Sequence, residues 1–169
     1  MSGGTVSIRL SINGESVTRE VEPRLNLVDF LRDELGLTGT RWSCEHGVCG
    51  ACTVLIDGAL ARGCLVFAAQ LDGSRVETIE GLSRSGVLAD LQAAFQLHNA
   101  VQCGFCSAGM LLSAETLLRE NRAPSRADIR HYLSGNYCRC TGYHAIIDAV
   151  EEVAKSRAAK GPSRKEGAP

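Results

Sequence analysis

The chain has 169 residues, 44% of them hydrophobic, with a formal net charge of −1 and eight cysteines. At roughly 100–200 residues per domain this is one domain or two small ones, and the apolar fraction excludes a disordered chain. Near-neutral charge disfavours a nucleic-acid binder, and no run of about 18 apolar residues exists to cross a membrane. Met1-Ser2-Gly3-Gly4 carries neither a basic segment nor an apolar stretch, so a cytoplasmic location is expected. Disulfides are rare there, so eight thiols need another use.

The first half reads as β-rich. Val6, Ile8, Leu10 and Ile12 alternate with Thr5, Ser7, Arg9 and Ser11, the period of a half-buried strand. Asn13-Gly14 suits a two-residue hairpin turn, and Ser16–Val21 returns. Asn26 is the expected cap of a short helix, with Asp29 at its third position, an apolar face of Leu27, Phe30, Leu31 and Leu35, and Gly36 as its stop. A Gly- and Cys-rich loop follows, then a strand over Thr53–Ile56, a turn at Asp57-Gly58, a strand running toward Val66, and a last strand near Val76–Ile79.

From about residue 82 the pattern becomes helical. Val87, Leu88, Leu91, Ala94 and Phe95 mark a first helix, and Met110, Leu111, Ala114, Leu117 and Leu118 a second. Ser125 caps a third with Asp128, and Tyr143, Ile146, Ile147, Val150 and Val153 mark a fourth. Residues 1–82 carry 7 Arg against 11 Asp/Glu, whereas residues 83–169 carry 11 Lys/Arg against 8 Asp/Glu. The basic surplus lies at the C-terminal end, where Lys155, Arg157, Lys160, Arg164 and Lys165 face only Glu166, and the tail 159–169 reads as a frayed terminus. The expected division is 1–82, 83–158 and the tail.

The cysteines fall four and four: Cys44-x4-Cys49-x2-Cys52 with Cys64 eleven residues on, then Cys103-x2-Cys106 with Cys138-x-Cys140. A thioredoxin-like use of Cys103 and Cys106 needs a βαβ context and leaves Cys138 and Cys140 unexplained. A Rieske centre would use His46, but no second histidine follows Cys64. Structural zinc is the main rival, since four thiolates suit a tetrahedral ion. The x4/x2 order of the first set is that of plant-type [2Fe–2S] sites. Gly47, Gly50 and Ala51 keep that loop slim enough for amides to reach the sulfurs. The usual fourth cysteine of plant-type ferredoxins lies farther along, however. The second set suits zinc or iron–sulfur by spacing alone. Arg139, between two thiolates, is either a charge offset or an exposed loop cation.

Three segments together resemble the xanthine oxidase (molybdenum hydroxylase) family, in particular its separate small iron–sulfur subunit. They are Ser43-Cys44-Glu45-His46-Gly47-Val48-Cys49-Gly50-Ala51-Cys52-Thr53-Val54, Val101-Gln102-Cys103-Gly104-Phe105-Cys106, and Gly135-Asn136-Tyr137-Cys138-Arg139-Cys140-Thr141-Gly142-Tyr143. The resemblance spans residues 5 to about 155 and includes the gap to Cys64. It implies an α+β chain: an N-terminal β-grasp, ferredoxin-like [2Fe–2S] domain followed by an all-α four-helix [2Fe–2S] domain. It further implies one cluster on Cys44, Cys49, Cys52 and Cys64, and another on Cys103, Cys106, Cys138 and Cys140. Gln102 and Cys140 would contact a molybdopterin cofactor held by a large subunit, and FAD would lie on a medium subunit, in a heterotrimer for which a dimerised form is left open. The implied role is an electron-transfer subunit of a molybdenum-dependent oxidoreductase that hydroxylates a small substrate, an aromatic N-heterocycle by preference, with oxygen from water. No catalytic acid, base or nucleophile is implied, and His98, His131 and His144 read as surface or packed residues. A free-standing ferredoxin-type carrier and a zinc-stabilised interaction module are the alternatives.

Overall fold

In the computed structural model, which describes residues 4–160, two hairpins and one short strand make a single mixed sheet. β1 (Val6–Ile12) and β2 (Glu15–Val21) pair antiparallel, with Val6 opposite Val21 and Ile12 opposite Glu15. The turn between them places Asn13 at φ 53° and Gly14 at φ 87°, both positive as a type I′ turn requires. β3 (Thr53–Ile56) and β4 (Ala59–Arg62) form the second hairpin through Asp57-Gly58. β5 (Arg75–Glu77) runs parallel to β1 and antiparallel to β3, giving the order β2-β1-β5-β3-β4.

Helix α1 (Leu27–Asp29) opens at Asn26, whose side-chain oxygen accepts from the Asp29 amide at 2.9 Å. It continues as one π-helical turn, Phe30–Glu34, before Gly36. Leu27, Phe30 and Leu31 pack with Ile8, Leu10, Ile12, Val54 and Val76 in the first core.

Five helices follow: α2 (Ile79–Arg84), α3 (Ala89–Leu97), α4 (Ser107–Glu120), α5 (Arg126–Leu133) and α6 (His144–Ala159). α4 is the central one, buried without interruption from Gly109 to Leu118. Its one buried carboxylate, Glu115, is held by Arg119 at 2.7 Å and Arg157 at 2.8 Å, which removes the cost of an unpaired charge. Ser125 and Asp128 form a reciprocal capping box on α5.

The structure departs from the sequence reading at several edges. The strand expected to reach Val66 stops at Arg62, and Gly63–Leu65 make a 3₁₀ turn that carries Cys64. The last strand ends at Glu77; Ile79 opens α2, an extra helix beside the four expected. Its cause is tertiary. The Asn13 side chain accepts from the Thr78 amide at 2.8 Å and fixes the extended residue from which α2 starts. Val87 precedes α3 and is 39% exposed rather than on its buried face. Of the expected tail, Ala159 ends α6, and residues 161–169 lie outside the described part.

The sheet and the helices share β3. Side chains alternate along a strand, so Val54 enters the first core while Leu55 enters the helical core, both essentially inaccessible. A strand buried on both faces reads as a continuous apolar run, which is what Val54-Leu55-Ile56 shows.

Candidate metal centres

The first set of thiols sits on the loop between α1 and β3. The loop closes on itself through Arg41 N to Ala51 O at 3.2 Å and Thr53 N to Gly50 O at 3.3 Å. Gly47 has φ 83°, the left-handed region that favours glycine, while the atom nearest an added Cβ, Leu65 Cδ1, ends an exposed side chain that can swing away. The Cys49 amide donates to Cys44 Sγ at 3.3 Å. Cys52 is buried and adjoins the Cys64 thiol, while the Gly63 amide donates to Cys52 O at 3.0 Å. Hydrogen bonds, chiefly from Cys49 N–H, lower the Cys44 thiol to about 6, and burial raises Cys52 to about 11. At the root of this loop the buried Thr40 hydroxyl finds no partner among the described residues. The His46 ring nitrogen contacts the Cys44 carbonyl.

The second set is assembled from the start of α4 and the loop between α5 and α6. Cys103 and Cys140 are exposed, and their sulfurs lie 3.6 Å apart. Cys106, which precedes α4, adjoins Cys138, and burial pushes its thiol up to about 12. Burial also acts on Cys138, but the amide and hydroxyl of Thr141 donate to its sulfur at 3.4 and 3.1 Å and bring it below the ordinary value. Tyr143 has φ 69°; its hydroxyl accepts from the Cys138 amide at 2.9 Å and donates to Asn136 O at 3.1 Å. Gln102 Nε2 donates to Cys140 O at 3.2 Å, so the two residues expected to meet a pterin meet each other. Both α4 and α6 begin beside this set, and helix N-termini favour negative charge.

The eight thiols are therefore arranged as four pairs: Cys44 with Cys49, Cys52 with Cys64, Cys103 with Cys140, and Cys106 with Cys138. Among the described residues, no three His, Cys, Asp or Glu side chains converge on one ion. Two thiolates per metal is the donor pattern of a two-iron cluster, whereas one zinc ion gathers all four. The 3.6 Å separation is close to the roughly 3.8 Å expected of two sulfurs on one tetrahedral metal at about 2.3 Å. The donor sets fit [2Fe–2S] clusters.

The two sets meet at a seam. The Tyr137 amide donates to Cys49 O at 2.8 Å. Asn136, 2% exposed, donates from Nδ2 to Gly50 O at 3.1 Å and accepts from Ser113 Oγ at 3.0 Å. Arg62 Nη2 donates to Gly135 O at 2.8 Å, and Nη1 reaches Thr53 Oγ1. A cleft of about 590 Å³ opens here, with Cys49, Cys103, Cys106, Phe105 and Tyr137 on its walls. Trp42, Val48, Leu65 and Phe67 leave apolar surface exposed near the first set, and Val101, Phe105 and Tyr137 near the second. Sequence reasoning assigned no role to Arg62 or Asn136, and it put Tyr143 on the apolar face of the fourth helix, whereas Tyr143 precedes α6 and turns its hydroxyl to the Cys138 loop. Their partners are far along the chain or on its backbone, and only the motif around Cys138 pointed toward the last two. Of the two readings of Arg139, its exposure fits the loop cation rather than the charge offset.

Residues 10–82 match the family described as 2Fe-2S iron-sulfur cluster binding domain, and residues 78–151 match the [2Fe-2S] binding domain family. The chain is 52% identical to the nicotine 6-hydroxylase small subunit of Paenarthrobacter nicotinovorans, over 86% of this chain and 87% of that one. It is 48% identical to the caffeine dehydrogenase subunit gamma of Pseudomonas sp. (strain CBB1), over 86% and 89%. A chain of quinoline 2-oxidoreductase from Pseudomonas putida 86 superposes with a TM-score of 0.86 at 52% identity, covering 93% of this chain and 97% of that one. No described helix is long and apolar enough to cross a membrane.

Proposed function

Because the chain belongs to the xanthine oxidase family as an iron–sulfur subunit, we propose that it carries electrons from a molybdopterin centre on a large partner, through two [2Fe–2S] clusters, to FAD on a medium partner. The paired arrangement of the thiols is the observation that carries this reading. The first cluster is held by Cys44, Cys49, Cys52 and Cys64, the second by Cys103, Cys106, Cys138 and Cys140. The first domain, a β-grasp, is taken to end near residue 82, and the helical domain to follow it.

When bound, each cluster supplies a one-electron store. The protein's part is to hold, orient and bias. The Cys49 amide at Cys44 Sγ and the Thr141 donors at Cys138 Sγ favour added negative charge on those sulfurs. The Tyr137–Cys49 hydrogen bond gives the two sets a direct main-chain connection. Gln102, braced on Cys140 O, is placed to meet the pterin, and Cys140 to lie between pterin and cluster. The exposed apolar residues beside each set suit burial against protein partners. With this chain the large and medium partners make a heterotrimer, located in the cytoplasm.

Relatives named for nicotine, caffeine and quinoline support an aromatic N-heterocycle as the substrate of the complex. Hydroxylation with water yields the hydroxylated ring, two protons and two electrons, and the two electrons leave singly through this chain. The test is co-purification with native partners followed by metal analysis and EPR after reduction. Two distinct [2Fe–2S] signals, with molybdenum and flavin in the co-purifying chains, are expected. A colourless protein holding two zinc ions refutes the reading, and iron–sulfur signals without molybdenum or flavin partners point to a free-standing carrier.

A further inference from the structure

The seam between the thiol sets contains an arginine whose charge no carboxylate among the described residues answers. Arg62 ends β4, two residues before Cys64, and its guanidinium reaches across the seam. Nη2 donates to Gly135 O at 2.8 Å, and Nη1 to Thr53 Oγ1. Thr53 directly follows Cys52, and Gly135 begins the short run that leads to Cys138. A Cβ at Gly135 would stand 2.9 Å from Nη2, so the glycine makes room for the guanidinium. The side chain is half-buried, and among the described residues it takes part in no ion pair. Its acceptors are neutral oxygens, so they fix the cation in place without cancelling it.

We propose that Arg62 is a charge element shared by the two cluster sites, whose fixed cation raises the reduction potential of both. The proposal rests on the two-cluster reading above. On reduction each cluster takes up one electron from its donor, no bond breaks, and the local charge falls by one. A cation held in partly desolvated surroundings stabilises that extra negative charge more than an exposed cation can, because solvent and salt screen it less. Arg62, half-buried and bonded both beside Cys52 and at the start of the run that leads to Cys138, stands between the two sets. Arg139 lies between two ligand positions in sequence, yet it is exposed. Position in the seam, not proximity along the chain, decides which arginine matters.

The alternative is that Arg62 only bolts β4 to the 135–138 loop. Lysine separates the two roles: it keeps the positive charge but lacks the planar fork that serves two acceptors. The experiment is an EPR-monitored redox titration of the assembled complex with dithionite, comparing wild type, Arg62→Gln, Arg62→Lys and Arg139→Gln. Arg62→Gln is expected to move both midpoints to lower potential. Arg62→Lys should leave both near wild type, and Arg139→Gln should move at most the second, by less. Unmoved midpoints in Arg62→Gln, or a shift of one signal alone, overturn the proposal, as does a Lys variant as displaced as the Gln variant. If Arg62→Gln does not assemble, Arg62→Met takes its place as the charge-free variant: both midpoints lowered support the shared charge, and unmoved ones overturn it. Absence of two [2Fe–2S] signals in the wild type would instead defeat the underlying two-cluster reading.

Discussion

Single thiols differ widely in how they are poised. Cys44 is lowered to about 6, mainly by the Cys49 amide, while burial raises Cys106 to about 12. The thiolate is the reactive form, so in cluster-free protein at neutral pH iodoacetamide should alkylate Cys44 first and Cys106 last. Labelling of Cys44 should weaken as pH falls through about 6, because protonation then removes the nucleophile. Peptide mass spectrometry after timed quenching reads both outcomes; equal rates at the two residues would show that the hydrogen bonds to Cys44 do not act. The same logic in the loaded protein singles out Thr141, whose hydroxyl donates to Cys138 Sγ at 3.1 Å. Thr141→Val deletes that donor at nearly constant volume, so the midpoint of the second cluster should fall while the first stays put. A redox titration showing both unmoved removes Thr141 from the tuning set. The thiol positions were legible in the sequence because they recur at fixed spacing. Their pairing was not, since Cys103 meets Cys140 only after α4 and α5 have packed.

At the scale of elements, Gly109 shows how a local rule is overruled. Within a helix, alanine is preferred to glycine by about 1 kcal/mol, and α4 places Gly109 in its first turn. A Cβ there, however, would lie 2.3 Å from Gly50 O and 2.8 Å from Asn136 Nδ2. Gly109→Ala is therefore expected to lower the melting temperature of the chain despite its better helix propensity, with thermal unfolding followed by circular dichroism as the measurement. A higher melting temperature would mean that the seam yields to the methyl group. The caps at Asn26 and Ser125 and both hairpin turns were legible, since each depends on residues within a few positions. The ends of β4 and β5 were not. Arg62 ends β4 near a partner 73 positions away, and Thr78 turns the chain into α2 through Asn13, 65 positions back. Apolar periodicity carries no information about such bonds.

At the scale of the whole molecule, Val54 and Leu55 tie the two cores together. Neighbours in sequence, they enter opposite cores, so neither half has a complete surface without the other. Truncating a buried leucine to alanine costs roughly 2–5 kcal/mol, and Leu55→Ala should weaken the sheet and the helices together. Calorimetry of the loaded protein should show one unfolding transition, displaced downward as a unit in the variant; two separable transitions would contradict this. The change from strands to helices was visible in the sequence, but the sharing of β3 between the two cores was not.

The hydrogen bond from Tyr137 N to Cys49 O has a consequence for how this molecule can vary. Both of its atoms belong to the main chain, so every residue except proline supplies the same link at position 137. Asn136, Arg62 and Gly109 beside it are each held to their residue type by their own contacts, whereas this one tie persists through any change of side chain at position 137 that leaves the loop in place. One strand of the connection between the two halves is thus part of the polymer itself, insulated from ordinary substitution and invisible to any reading of residue types.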